Sequence, residues 1–155
     1  MFYVEASGTP YEIGRQLGEQ TKLAIANSLD MLAARFRHWD DRQFRAARER
    51  QMAYTERRLP ELLEETQGIA DGAGVEFRWI YLASYYASMR FGLQGCSNLI
   101  FTDSAEGPIL ARTCDLPKAE GKHAGLALVR PEGGLAVLAT YWLSLIHISE
   151  PTRPY

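Results

Sequence analysis

This 155-residue sequence contains no pattern that indicates a membrane span, a disulfide framework or a metal site. No apolar run approaches the roughly 20 residues that a bilayer-spanning helix needs, and the first residues lack the basic flank and apolar stretch of a secretory signal. Two cysteines, Cys96 and Cys114, are too few for a disulfide framework. His38 and His123 have no partner at metal-ligand spacing. We therefore expect a cytoplasmic protein with no membrane partner, no metal and no other cofactor.

An excess of charge of one sign is also missing. The 17 lysines and arginines nearly balance the 19 aspartates and glutamates, which gives a formal net charge of −2 and a pI near 5.9. The arginines between Arg35 and Arg58 are interleaved with acidic residues, a pattern typical of a solvated helix face. A nucleic-acid partner is therefore not expected.

The first part of the chain has the features of helices. Thr9 is suited to cap a helix, Pro10 to begin it and Glu12 to bond back to the cap, and apolar residues recur at helical spacing as far as Phe36. The third predicted helix should end at residues 71–74, where glycine can take the left-handed conformation. The helices predicted after the first cover residues 41–58, 60–70 and 77–89.

From Cys96 onwards the apolar pattern changes from the period of a helix to that of a strand. Helices followed by antiparallel strands indicate the α+β class. We divide the chain into a helical region, residues 1–95, and a strand region, residues 96–142. Two hairpins are predicted in the second region, with strands over residues 97–102 and 109–113 and over residues 125–130 and 135–140.

The final segment, residues 143–155, differs from the rest of the chain. Residues 143–153 resemble the translation of a transposon-based sequencing adapter read as coding DNA. We interpret the segment as a non-native tail and exclude it from the fold, as one excludes a tag. His147 therefore has no predicted role, and the natural gene is expected to diverge at about Leu143.

Cys96 is the residue best placed for chemistry. A thiol needs a base or a cation to become a good nucleophile near neutral pH. If the first turn centres near Ala105, Cys96 folds back opposite residues 113 and 114, and Arg112 and Asp115 come into its neighbourhood. Because Arg112 and Asp115 are three residues apart, both can serve Cys96 only if the strand bulges or its regular pairing ends near Cys114.

A plainer interpretation fits the same spacing and is favoured by spacing alone. In it Cys96 is a small core residue, and Arg112 and Asp115 form a local ion pair. Cys114 is interpreted as a core residue in preference to an adventitious disulfide partner.

A resemblance in motifs favours the interpretation of Cys96 as a nucleophile over that of a core residue. Gly95-Cys96-Ser97, followed by Ala111-Arg112-Thr113-Cys114-Asp115, resembles the nucleophile segment of N-terminal-nucleophile (Ntn) hydrolases of the choloylglycine hydrolase and penicillin acyltransferase group. The arginine lies 16 and the aspartate 19 residues after Cys96. Upstream, residues 8–18 and 62–74 are similar to the acyl-coenzyme A:6-aminopenicillanic acid acyltransferase family (peptidase family C45). The resemblance covers most of residues 3–142.

The resemblance implies a helical propeptide followed by a truncated Ntn-hydrolase αββα sandwich. It implies that Cys96 is the catalytic nucleophile, exposed by self-cleavage of the Gly95–Cys96 bond. Asp115 would orient the freed amine, and Arg112 would favour the thiolate. The expected partner is a small-molecule amide or acyl thioester, and the two pieces of the cut chain would stay paired as α and β subunits.

The resemblance also implies an oxyanion-stabilising asparagine and a further arginine beyond residue 142. Activity is therefore expected of a longer parent, and this fragment should be inactive. Two alternatives stay open: a choloylglycine-type hydrolase of conjugated amides, and a non-catalytic helical interaction module.

Overall fold

The computed structural model describes residues 2–35, 42–90, 96–103, 105, 107, 109–114 and 124–142. Helices and sheets are both present, which confirms the α+β class. Within these residues no helix combines the length and the apolar character that crossing a membrane requires. The elements follow in the order β1 (Phe2–Gly8), α1 (Pro10–Arg35), α2 (Arg42–Arg58), α3 (Pro60–Ala73), α4 (Phe77–Arg90), β2 (Cys96–Phe101), β3 (Ile109–Cys114), β4 (Ala124–Pro131) and β5 (Val137–Trp142).

The four predicted helices form, and α1 begins with the predicted cap. Glu12 Oε2 accepts hydrogen bonds from the Thr9 N–H and the Thr9 hydroxyl, both at 2.9 Å. The Glu12 N–H donates in return to Thr9 Oγ1 at 3.3 Å. The bond from the Thr9 backbone, followed by the one from its hydroxyl, lowers the pKa of Glu12 because both favour the carboxylate.

The strands form two sheets, one of them mixed. β2 pairs antiparallel with β3, and β4 pairs antiparallel with β5, as the two hairpins predict. β1 lies within the region expected to be helical, and it pairs in parallel with β4. Val4 and Ala6 are buried and alternate with exposed residues. This alternation is short, and the partner strand lies far along the chain, so the sequence does not reveal β1.

α1 and α3 pack backbone to backbone through four glycines. A Cβ added at Gly14 would overlap the carbonyl group of Glu65 in α3, and a Cβ at Gly18 would meet the next turn of α3 in the same way. Gly68 and Gly72 lie equally close to carbonyl groups of α1. Residues four apart share one face of a helix, so the two pairs face each other. Glycine is required at these positions because there is no room for a Cβ atom, and not because the backbone is left-handed there.

The prediction that the third helix ends within residues 71–74 at a left-handed glycine is confirmed, but Gly72 is not part of the terminator. α3 continues to Ala73, because Gly72 lies inside the helix and against α1. The terminator is Gly74 alone, whose φ of 72° is left-handed and whose N–H donates to the carbonyl of Asp71 at 3.2 Å.

Two glutamines of α1 hydrogen-bond with the backbone of β1 along the edge that does not pair with β4. The Gln16 side chain accepts a hydrogen bond from the Ser7 N–H at 3.2 Å and donates one to the Ser7 carbonyl at 2.7 Å. Gln20 makes the same two bonds with Glu5, at 3.3 and 2.7 Å. Four helical residues rise about 6 Å and two strand residues about 6.6 Å, so glutamines one turn apart match alternate residues of the strand. The edge is thereby protected from pairing with another chain.

The core lies between the β1-β4-β5 sheet and the helices. Within the described residues the opposite face of this sheet keeps Tyr3 and Leu138 exposed. In β2 and β3, the residues whose burial the structure describes, 99–101, 109 and 111, are exposed. The buried cluster consists of Val4, Ala6, Ile13, Leu17, Ile25, Ile69, Ala70, Ala73, Ile80, Ala127, Val129 and Ala139.

An exposed ion pair joins β1 to β4. Arg130 donates to Glu5 Oε2 at 2.7 Å, and the Tyr3 hydroxyl donates to Glu5 Oε1 at 2.8 Å. The Arg130 bond first, and the Tyr3 bond second, lower the pKa of Glu5. Glu5 in turn raises the pKa of Arg130 and of Tyr3, because both partners hold their protons more tightly beside the carboxylate.

We expect Gly14→Ala and Gly68→Ala each to lower the free energy of unfolding by about 2–3 kcal/mol, because the added methyl group must push two backbones apart. This loss exceeds the gain of about 1 kcal/mol in helix propensity. Urea denaturation followed by circular dichroism measures the change. Glu64→Ala, at an exposed position of α3, is the matched control and should shift stability by less than about 0.5 kcal/mol. Wild-type stability in both glycine variants would contradict the close contact.

The Glu5–Arg130 pair predicts a difference in acid sensitivity. Because the pKa of Glu5 is lowered on folding, its contribution to stability is present above the ordinary value of 4.5 and is lost as the pH falls through the lowered folded value. The stability of the wild type should therefore fall more steeply in acid than that of Glu5→Gln. The difference is small, since both side chains are half exposed. Urea unfolding across this pH range measures it, and high salt should reduce it. Parallel pH profiles would show that the pair does not stabilise the fold.

Candidate active site

Cys96 is the first residue of β2, where the helical part of the chain gives way to strands. The register places Cys96 opposite Cys114 and Phe101 opposite Ile109, so the hairpin is centred on Ala105. The predicted hairpin is confirmed, and so is the prediction that Cys96 folds back opposite residues 113 and 114.

Arg112 occupies a ladder position close to Cys96. It lies opposite Asn98, and this pair is two residues along the ladder from the Cys96–Cys114 pair. Opposed positions, and positions two residues apart, share one face of a ladder, so these four positions lie on the same face of the hairpin. The diagonal separation between positions 96 and 112 is about 7–8 Å, which long side chains can bridge. The structure thus brings the predicted cation position to the predicted nucleophile.

Asn98 also lies on this face. It is not among the site residues predicted from the sequence, because asparagine is neither a base nor a cation. Its amide carries both donors and an acceptor. The signal that identifies it is the strand alternation counted from Cys96, combined with the register that sets it opposite Arg112.

The remaining predicted site residues lie outside the described part of the chain. These are Gly95 and Asp115, and the same holds for His38, His123 and the tail 143–155. β3 pairs regularly with β2 as far as Cys114, the last residue of this strand that the structure describes. The approach of Asp115 to Cys96 stays a prediction.

The hairpin exposes large apolar side chains on both faces. Leu99, Ile100 and Phe101 are each more than half exposed, and Ile109 is 45% exposed. Among the described elements, β2 and β3 have their main contacts with each other. A two-stranded hairpin is marginally stable in water by itself, and exposed apolar clusters of this kind mark surfaces that pack against another element or molecule.

Contacts within the larger sheet join the segments on either side of the Gly95–Cys96 bond. β1, from the first segment, pairs along its whole length with β4 from the second. The Glu132 N–H donates to the Gly8 carbonyl at 2.9 Å and extends this pairing. Both segments also contribute to one apolar cluster. None of these contacts depends on the continuity of the chain at residues 95 and 96.

A shallow cleft of about 300 Å³ between α2 and α4 is separate from the hairpin. None of the predicted site residues lines it, so it is not the candidate active site. Within the part of the chain that the structure describes, no group of His, Cys, Asp or Glu is arranged to hold a metal ion. The cleft is lined by Glu49, Met52, Ala53, Glu56, Phe77, Arg78 and Tyr81.

Comparison with known proteins adds no family: no protein-family model matches the chain, and no curated protein matches it. A function for this chain must therefore be argued from its motifs and from the geometry of the β2–β3 hairpin.

Proposed function

We propose that this chain is the N-terminal part of a self-processing Ntn amidohydrolase or acyltransferase with Cys96 as its nucleophile. The observation that carries the proposal is the position of Cys96. It begins β2, the next described element after α4, and β2 pairs with the strand that carries Arg112. A nucleophile at the first residue of a strand can become a chain terminus without any loss of the strand itself.

The self-cleavage step follows from the chemistry of a cysteine that has glycine before it. The Cys96 thiolate attacks the Gly95 carbonyl carbon, the peptide C–N bond breaks, and a thioester replaces it while the nitrogen takes up a proton. Water then hydrolyses the thioester, which leaves a carboxylate on Gly95 and a free thiol and free α-amine on Cys96. Glycine crowds the attacked carbonyl less than any other residue, because it has no Cβ.

The catalytic cycle uses the same groups again. The freed α-amine serves as general base for the thiol, which attacks the carbonyl carbon of an amide substrate and forms an acyl-cysteine. Asp115 would hold the amine by a hydrogen bond. Arg112 carries a permanent positive charge that favours the thiolate and can contact the acyl group. Water or an amine then accepts the acyl group. These roles need no metal and no other cofactor.

The exposed apolar residues of the hairpin support the larger architecture. In an αββα sandwich each sheet is covered on both faces, one by the second sheet and one by helices. A hairpin that is apolar on both faces, with Leu99 and Ile100 at successive positions and therefore on opposite faces, suits such an environment. The active enzyme would therefore be a longer parent that also supplies the oxyanion-stabilising asparagine, and the chain by itself would be inactive.

We expect a longer parent of this chain to cleave itself between Gly95 and Cys96. Cys96→Ala should abolish the cleavage, because alanine has no nucleophile. Cys96→Ser should retain slow cleavage, since serine supports the same acyl shift but is the weaker nucleophile near neutral pH. Asp115→Asn should impair turnover more than folding, because the amide keeps the shape of the carboxylate but not its charge. Intact-mass measurement after expression detects both pieces.

Substrate assays separate the remaining alternatives. Turnover of a conjugated bile-salt amide in preference to a penicillin-type amide would favour a choloylglycine-type hydrolase. A parent that stays uncut and yet hydrolyses amides normally would rule out the N-terminal-amine mechanism. A parent that neither cuts itself nor reacts at Cys96 with a thiol-reactive acyl analogue would favour the interaction module.

After cleavage the two pieces should stay associated as paired subunits. Three interactions join the piece before the cut to the piece after it: the β1–β4 ladder, the shared apolar cluster and the Glu5–Arg130 bond. We expect both pieces to coelute in size-exclusion chromatography at physiological salt, and to separate only in denaturant. A variant that lacks residues 2–8 should release the first piece far more readily. Elution of the wild-type pieces as two separate species would contradict the pairing.

A further inference from the structure

Cys96 and Cys114 lie directly opposite each other in the β2–β3 ladder, and they are the only cysteines in the sequence. We propose that this pair is a thiol–disulfide modification site. Low-molecular-weight disulfides such as oxidised glutathione convert it into a cross-strand disulfide. Cys96 can then no longer act as a nucleophile. Formation of the bond depends on the hairpin alone. Its effect on self-cleavage and turnover rests on the proposed function.

The spacing of an antiparallel ladder suits a disulfide. Opposed residues have Cα atoms about 4.5 Å apart in non-hydrogen-bonded pairs and about 5.5 Å apart in hydrogen-bonded pairs. Protein disulfides have Cα separations of about 4.4–6.8 Å, so both kinds of pair lie inside this range without movement of the strands. Opposed positions also share one face of the ladder. The folded hairpin thus holds the two cysteine positions at a separation that an unfolded chain adopts only rarely.

The reaction proceeds by two thiol–disulfide exchanges. The thiolate of one cysteine attacks a sulfur of oxidised glutathione, forms a mixed disulfide and expels one glutathione thiolate. The thiolate of the opposed cysteine then attacks the protein sulfur of that mixed disulfide, forms the Cys96–Cys114 bond and expels the second glutathione thiolate. The two cysteines lose two electrons in total, and oxidised glutathione gains them. The two protons pass to the released glutathione thiols.

Oxidation blocks the proposed chemistry because both of its steps need the Cys96 thiolate. A sulfur bonded to Cys114 can attack neither the Gly95 carbonyl nor an amide substrate. Excess thiol reverses the exchange and restores the nucleophile. Cys114 therefore makes the active cysteine responsive to the redox state of its surroundings.

The first experiment uses the chain itself and no enzymatic assay. The chain is equilibrated in buffers of increasing ratio of oxidised to reduced glutathione, alkylated, and analysed by intact mass and peptide mapping. We expect an internal Cys96–Cys114 link without retained glutathione. Cys114→Ser should instead accumulate a mixed disulfide at Cys96, and only at a ratio about tenfold higher or more, because its second exchange is missing.

A register-shifted variant is the matched control. The double variant Thr113→Cys with Cys114→Ser keeps two cysteines but moves one of them by a single residue, to the other face of the ladder. It should form at least about tenfold less internal link than the wild type at the same ratio. Glutathione retained on both wild-type cysteines, or equal linking in the shifted variant, would overturn the proposal.

The second experiment separates this proposal from the proposed function. Self-cleavage of the longer parent is measured in reducing buffer and at the ratio that links the chain. We expect cleavage when reduced, its loss when linked, and its recovery on addition of dithiothreitol. Undiminished cleavage by the linked parent would overturn the proposed block. Absence of cleavage in reducing buffer would overturn the proposed function, while an internal link in the chain would still support the modification site.

Discussion

The close approach of α1 and α3 is the constraint on which the rest of the structure depends. Gly14 and Gly18 on one helix, and Gly68 and Gly72 on the other, let the two backbones touch. This contact determines where α1 lies. With α1 in place, its glutamines reach the free edge of β1, and the opposite edge of β1 is left to pair with β4. A methyl group at the glycine contact would therefore disturb the sheet as well as the helices.

This arrangement changes how the region before Cys96 should be understood. A segment that only guards an active site could leave after cleavage without damage to the remaining fold. Here the first segment supplies a strand to the mixed sheet and many of the residues in the apolar cluster. Its two motif-bearing stretches, residues 8–18 and 62–74, include the four glycines of the helix contact. In the proposed enzyme these motifs would therefore serve the architecture and not the chemistry.

One feature of the hairpin underlies both the proposed reactivity and the proposed redox sensitivity. The register that places Arg112 diagonally from Cys96 also places Cys114 directly opposite it. A cation near a thiol favours the thiolate, and the thiolate is the form that attacks both acyl carbons and disulfides. An arrangement that activates Cys96 as a nucleophile therefore also makes it reactive toward disulfides such as oxidised glutathione, with Cys114 placed to form the final bond.

Local signals in the sequence determined the helices, both hairpins and the start of α1. The bonds between Thr9 and Glu12 span three residues, and the turn centred on Ala105 sets the register of β2 and β3. Such interactions form between near neighbours, so a reading of adjacent residues can find them. Tertiary structure alone decided that residues 2–8 form a strand, and that Gly72 packs against α1 instead of ending α3. Both depend on partners far away in the chain, and local periodicity carries no information about which distant segment will supply the other half of a contact.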